Sequence, residues 1–232
     1  MIAKPALSLL GLAAALGCSP SGVAPKPLAT AAAPAASPGE TATTGAAPTI
    51  VFLGTSLTAG FGLDPEQAYP ALIQKKIDAA GFRYRVVNAG VSGETSAGAR
   101  RRIDWILQKP VAVLVVETGA NDGLRGQDLS ELRDNIQAIF DRARRQVPPP
   151  RLVLVGMEVI TNYGADYVKG FHAVYVDLAR SNQVSFVPFL LEGVGGVPAL
   201  NQADGIHPTA EGQRRLADNV WKVLRPLIES GP

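Results

Sequence analysis

The sequence predicts an α/β fold, a flavodoxin-like three-layer sandwich with a five-stranded parallel sheet and helices on both faces. Two observations carry this. Five short apolar, β-rich runs recur after position 49, at 50–53, 84–87, 111–117, 151–157 and 184–187. Longer stretches of helical period follow each one, at 66–80, 94–108, 130–146, 165–182 and 209–229. Strands alternating with helices imply right-handed βαβ units and a parallel sheet.

The first run is Ile-Val-Phe-Leu, and the third contains Val-Leu-Val-Val; both suit strands buried on two faces. Ala79-Ala80-Gly81 ends the first long helix, and Pro148-Pro149-Pro150 separates the third helix from the fourth strand. In the last helix Leu216, Val220, Val223, Leu224 and Leu227 fall on one face. Trp105 and Trp221 are read as core residues, and Arg100-Arg101-Arg102 as a solvated helix face.

The segment before position 49 has a different character. Lys4 is followed by an almost wholly apolar run to Gly17, too short for a membrane span of about 20 residues. It fits an export signal ending in a small-residue cleavage site. Ala15-Leu16-Gly17-Cys18 resembles a bacterial lipobox, which implies lipidation of Cys18. From 19 to 48, all residues but Val23, Lys26, Leu28 and Glu40 are Ala, Pro, Ser, Thr or Gly. Such a stretch buries little apolar surface and reads as a disordered tether. The expected organisation is therefore a signal over 1–18, a tether over 19–48 and a folded domain over 49–232. The protein is expected to be exported, either anchored as a lipoprotein on the periplasmic side of the bacterial envelope or, without lipidation, secreted or periplasmic.

Composition narrows the chemistry. The chain of 232 residues is 47% hydrophobic and 18% charged, with a formal net charge of +2. No long basic run or basic-aromatic stripe supports nucleic-acid binding. One cysteine forbids an internal disulfide, and with only two histidines no Cys/His zinc cluster can be assembled. No metal and no organic cofactor is expected.

Four loops carry reactive groups. Gly54-Thr55-Ser56-Leu57-Thr58-Ala59-Gly60 follows the first strand and places a serine at a strand-to-helix turn. It is neither a G-x-S-x-G elbow nor a P-loop, because Thr58 replaces the second glycine and no Lys-Ser/Thr follows. A serine nucleophile needs a base, and the base an orienting acid. His172 sits mid-helix among Phe171, Val174 and Tyr175 and reads as a helix-face residue. His207 lies in Asp204-Gly205-Ile206-His207-Pro208, with an acid three positions earlier. Two further loops, 88–95 with Gly93 and 119–122 with Asn121, offer hydrogen-bond donors suited to an oxyanion.

Taken together, GTSLTAG at 54–60, VNAGVSGET at 87–95, ETGANDGLRG at 117–126, TNYGADY at 161–167 and DGIHP at 204–208 resemble the SGNH, or GDSL, hydrolase family. Within it, the chain is similar to the thioesterase I, lysophospholipase L1 and arylesterase subgroup. The resemblance implies a serine esterase working through an acyl-enzyme on aryl esters, short-to-medium acyl esters, lysophospholipids or thioesters. It implies Ser56 as nucleophile, His207 as base and Asp204 as its orienting acid. It implies an oxyanion hole of the Ser56 N–H, the Gly93 N–H and the Asn121 side chain. Asn162, Tyr163 and Gly164 resemble the loop bordering the acyl pocket. The expected partners are a small acyl ester, thioester or lysolipid substrate, and a membrane only through the lipid anchor.

Two departures stand out. The family has aspartate where Thr55 stands, and the subgroup has glycine where Ala120 stands. Two other readings follow: a carbohydrate O-deacetylase on the same scaffold, favoured by the envelope address, and a silent acyl-binding lipoprotein, favoured by Thr55.

Overall fold

The chain alternates strand and helix as its hydrophobic periods dictate. The computed structural model describes residues 45–159 and 161–231. The signal, Cys18 and the tether as far as position 44 lie outside the described residues. The last tether positions, 45–48, have no regular secondary structure, yet the Pro48 carbonyl already accepts the Arg85 N–H at 2.9 Å.

Five strands, β1 (Thr49–Gly54), β2 (Arg85–Gly90), β3 (Val113–Glu117), β4 (Arg151–Val155) and β5 (Ser185–Val187), form one parallel sheet in the order β2-β1-β3-β4-β5. β3 is buried throughout, and β1 and β4 are buried except at their first residues. The strand order reverses between β1 and β3, so a crevice opens where their carboxyl ends diverge.

The helices are α1 (Ser56–Ala59), α2 (Tyr69–Ala79), α3 (Ser96–Ile106), α4 (Ala120–Leu124), α5 (Leu129–Ala143), α6 (Ala165–Asn182) and α7 (Ala210–Glu229). Right-handed crossovers send α2 to one face, because β1 to β2 runs one way across the sheet. They send α3, α5 and α6 to the other. The packing agrees: α2 lies against α7, and α5 lies between α3 and α6. α7 buries Leu216, Ala217, Val220, Leu224 and Ile228, and the Thr209 hydroxyl caps its first turn through the Gly212 N–H.

The structure corrects several expectations. The first long helix begins at Tyr69, not 66. Pro65 opens a separate 3₁₀ turn, and extended Ala68 divides it from α2. β4 ends at Val155, releasing Gly156 to Val159 into a loop at the carboxyl end of the sheet. Trp105 is not core. It is 66% exposed beside the edge strand β2, because the sheet face at Val87 and Ala89 is only partly covered. Arg102 is not a solvated residue. It is largely buried in an ion pair with Glu94.

Candidate active site

The reactive groups stand at the carboxyl ends of the strands. β1 delivers Ser56 as the first residue of α1, where a helix N–H has no intrahelical acceptor. Gly54 is obligatory in this turn. A Cβ there would lie 1.9 Å from the Thr58 hydroxyl and 2.8 Å from a Glu117 oxygen.

The loop before α7 brings His207 to Ser56. Nε2 of His207 lies 3.0 Å from Ser56 Oγ, and Nδ1 lies 2.7 Å from Asp204 Oδ2. A carboxylate only accepts, so Nδ1 carries the proton and Nε2 is free to accept from the serine hydroxyl. Asp204 Oδ1 also accepts the N–H groups of Ile206 and His207, at 2.9 and 3.0 Å. Those donors, with the imidazole, hold its carboxyl down at about 2, so it is ionised at any working pH. An Asn201–Pro208 bridge closes the base of this loop, and Gln202 Nε2 ties it to the nucleophile side. It donates to the Phe61 carbonyl at 2.8 Å and to the Pro208 carbonyl at 3.0 Å.

The two donor loops are fastened to each other. Asn121 Nδ2 donates to the Glu94 carbonyl at 3.0 Å, and Asp122 accepts the Ser96 N–H at 2.9 Å and the Ser96 hydroxyl at 2.5 Å. The Arg102 guanidinium forks onto Glu94 and also reaches the Gly54 carbonyl at 3.3 Å. These bonds set the Gly93 and Asn121 loops against the serine turn. Gly119 makes the bend into α4 at φ 103°, and a Cβ there would strike the Tyr175 hydroxyl at 2.1 Å.

Ser56, Gly93, Asn121 and His207 all line one cavity of about 500 Å³. Its other walls are mainly apolar, including Leu57, Phe61, Leu124, Met157, Val159 and Phe189. The expected acyl-pocket loop is placed differently. Among the described residues, Asn162, Tyr163 and Gly164 do not line this cavity; the segment Met157 to Val159 does. The early end of β4 puts that segment over the site. Tyr163 stays half-exposed outside it, its hydroxyl donating to the Leu124 carbonyl at 3.1 Å. His172 pairs with Glu158 at 2.6 Å on the exposed side of α6.

Three contributors escaped sequence reasoning. Phe61, Gln202 and the Met157 to Val159 segment reveal themselves only through contacts across the fold. Glu117 carried a signal, an acid ending an apolar strand. It is fully buried and accepts the Thr55 N–H at 2.8 Å, as well as the hydroxyls of Thr55 and Thr58. Among the described residues, no cluster of three or more His, Cys, Asp or Glu side chains is arranged to hold a metal.

A parallel α/β sheet with serine, imidazole and carboxylate in hydrogen-bonded series at its carboxyl edge defines the class of α/β serine hydrolases. The chain belongs to the GDSL-like lipase/acylhydrolase family, whose model matches residues 52–215. It is 44% identical to the esterase TesA of Pseudomonas aeruginosa over 185 residues, covering 79% of this chain and 90% of that protein. It is 35% identical to the thioesterase 1/protease 1/lysophospholipase L1 of Escherichia coli over 184 residues, covering 79% and 86%. A crystal structure of TesA superposes with a TM-score of 0.73 over 77% of this chain and 99% of that one.

Proposed function

We propose that the protein hydrolyses carboxylic esters and thioesters of short-to-medium acyl groups through an acyl-enzyme on Ser56. The observation that carries this is the 3.0 Å contact between Ser56 Oγ and His207 Nε2 at the wall of an apolar cavity. Ser56 attacks the acyl carbon while His207 takes its proton, and ionised Asp204 stabilises the imidazolium. The charge developing on the carbonyl oxygen meets the N–H groups of Ser56 and Gly93 and the Asn121 amide. His207 protonates the leaving alcohol or thiol, then activates the water that frees the acid. The names borne by the relatives, esterase, thioesterase and lysophospholipase, support this substrate range. The apolar walls favour an acyl chain over a sugar, which speaks against the deacetylase reading. Export, with lipidation of Cys18, would place the enzyme in the cell envelope.

The test is hydrolysis of p-nitrophenyl esters of graded chain length, with fluorophosphonate labelling. Both activities are expected in the native chain and neither in Ser56→Ala. Turnover retained by that variant removes Ser56 from its role.

A further inference from the structure

We infer that Glu117 is a positioning residue for this hydrolysis: its buried carboxylate clamps the residues on either side of Ser56, so that both the hydroxyl and the N–H of Ser56 face the reacting carbonyl. The inference rests on the esterase reading of the same site.

The geometry is a three-donor clamp on one carboxylate. Glu117 Oε2 accepts the Thr55 N–H at 2.8 Å and the Thr58 hydroxyl at 2.7 Å, while the Thr55 hydroxyl lies 3.0 Å from each carboxylate oxygen. Thr55 immediately precedes the nucleophile and Thr58 follows it by two positions. Two side-chain amides from elsewhere in the fold also hold the segment's carbonyls, Gln213 Nε2 on Leu57 at 3.2 Å and Asn88 Nδ2 on Thr58 at 2.8 Å. Both of these donors are neutral amides, whereas bonds to an ionised acceptor are about twice as strong.

The protons can be counted. Thr58 gives its hydroxyl proton to Glu117, so Tyr69, 2.8 Å from Thr58 Oγ1, must be the donor in that contact. The series runs from Tyr69 to Thr58 to Glu117 and ends on a charge. Protonating Glu117 gives it a proton to donate to Thr58 and reverses the series, and the clamp loses its ionised acceptor. Burial pushes the Glu117 carboxyl up to about 7 while the Thr55 and Thr58 donors pull it down. The titratable groups around it are Tyr69 on α2, Tyr175 on α6, Asp122 on α4, and Arg102 on α3, which is paired with Glu94 and reaches the turn through the Gly54 carbonyl. Both tyrosines are held well above their ordinary values by burial and stay neutral. His207 stands beyond Ser56.

The experiment is Glu117→Gln in the full chain, assayed on p-nitrophenyl butyrate. The amide keeps the size, removes the charge and turns an N–H toward the donors. The expected result is a kcat lower by about ten- to a hundredfold with KM within about twofold. Fluorophosphonate labelling should slow in parallel. A merely structural role would not move the pH profile. In the native chain kcat/KM should fall by about an additional ten- to hundredfold as pH drops through about 7, where Glu117 takes up its proton, and Glu117→Gln should lack that step. Native kcat and an unchanged pH profile in this variant overturn the inference. Should Glu117→Gln not fold, Thr55→Val and Thr58→Val decide, each removing one hydroxyl donor. A drop of about three- to tenfold in kcat in each supports the clamp, and native kcat in both overturns it. A native chain that neither hydrolyses esters nor takes the label instead sinks the esterase reading, and the inference with it.

Discussion

Phe61 lies against the imidazole of His207, with ring centroids 4.5 Å apart and planes inclined at 39°. The base therefore has a carboxylate at one nitrogen, the nucleophile at the other and an aromatic ring against its face. Such aromatic contacts are worth about 0.5–1.5 kcal/mol beyond the area they bury. Phe61→Ala should lower kcat/KM for short esters by about three- to tenfold, and Phe61→Leu by less. Steady-state kinetics on both variants checks this; equal losses would mean that the ring against His207, and not the volume it fills, supports the base, and native kcat/KM in both would mean that Phe61 does not.

Asn121 is a candidate oxyanion donor whose amide is already oriented by the Glu94 carbonyl. Removing one donor of this kind typically costs about 2.7–4 kcal/mol of transition-state stabilisation. Asn121→Ala should reduce kcat by about a hundred- to a thousandfold while KM changes little. A change confined to KM would assign Asn121 to ground-state binding.

Glu117 also makes a thermodynamic prediction. Its carboxyl rises from an ordinary 4.5 to about 7 on folding. For an acid raised in the folded state, the protonated form is favoured by folding. That contribution is fully present below pH 4.5 and is lost as pH rises through 7. At about 1.4 kcal/mol per pH unit, the loss amounts to about 3 kcal/mol. Glu117→Gln does not titrate, so urea unfolding from pH 4.5 to 8 should show the native chain losing about that much relative to the variant. Parallel curves would show that Glu117 does not change its charge across this window.

Thr55 stands where a second acid would meet Glu117. Its hydroxyl is 3.0 Å from both oxygens of that carboxylate, so Thr55→Asp puts two buried carboxyl groups in contact. Like charges at that range do not both ionise readily, and the pair retains a proton to higher pH. In the native chain the contribution of Glu117 levels off above about pH 7. In Thr55→Asp the decline should continue beyond pH 8, measured by the same unfolding series. A curve that levels off at the native pH would mean that the new carboxylate turns away from Glu117.

Much of the site is legible along the chain. The runs at 50–53 and 111–117, the alternating helical stretches and the glycine-flanked loops foretell the sheet and locate Ser56, Gly93, Asn121, Asp204 and His207 at its carboxyl end. Asp204 and His207 are readable as a pair because three residues of loop bring them together. Local backbone preference also shows where β1 must turn, since Gly54 and Gly60 bracket the serine. Exposure of Trp105 and burial of Arg102 were not legible. Both sit on the same amphipathic helix, and only the partly covered face beside β2 and the position of Glu94 decide which one faces water.

Composition and periodicity determined the sheet, its helices and the residue types available for chemistry, because those follow from burial patterns written into consecutive positions. The tertiary structure alone decided that Met157 to Val159, not Asn162 to Gly164, walls the cavity, that Phe61 and Gln202 hold the base, and that Glu117 grips the nucleophile's turn across sixty-two positions. Those facts depend on which carbonyl, ring or carboxylate arrives from a distant strand. No local propensity encodes such a meeting; it exists only once the sheet order has set the strand ends side by side.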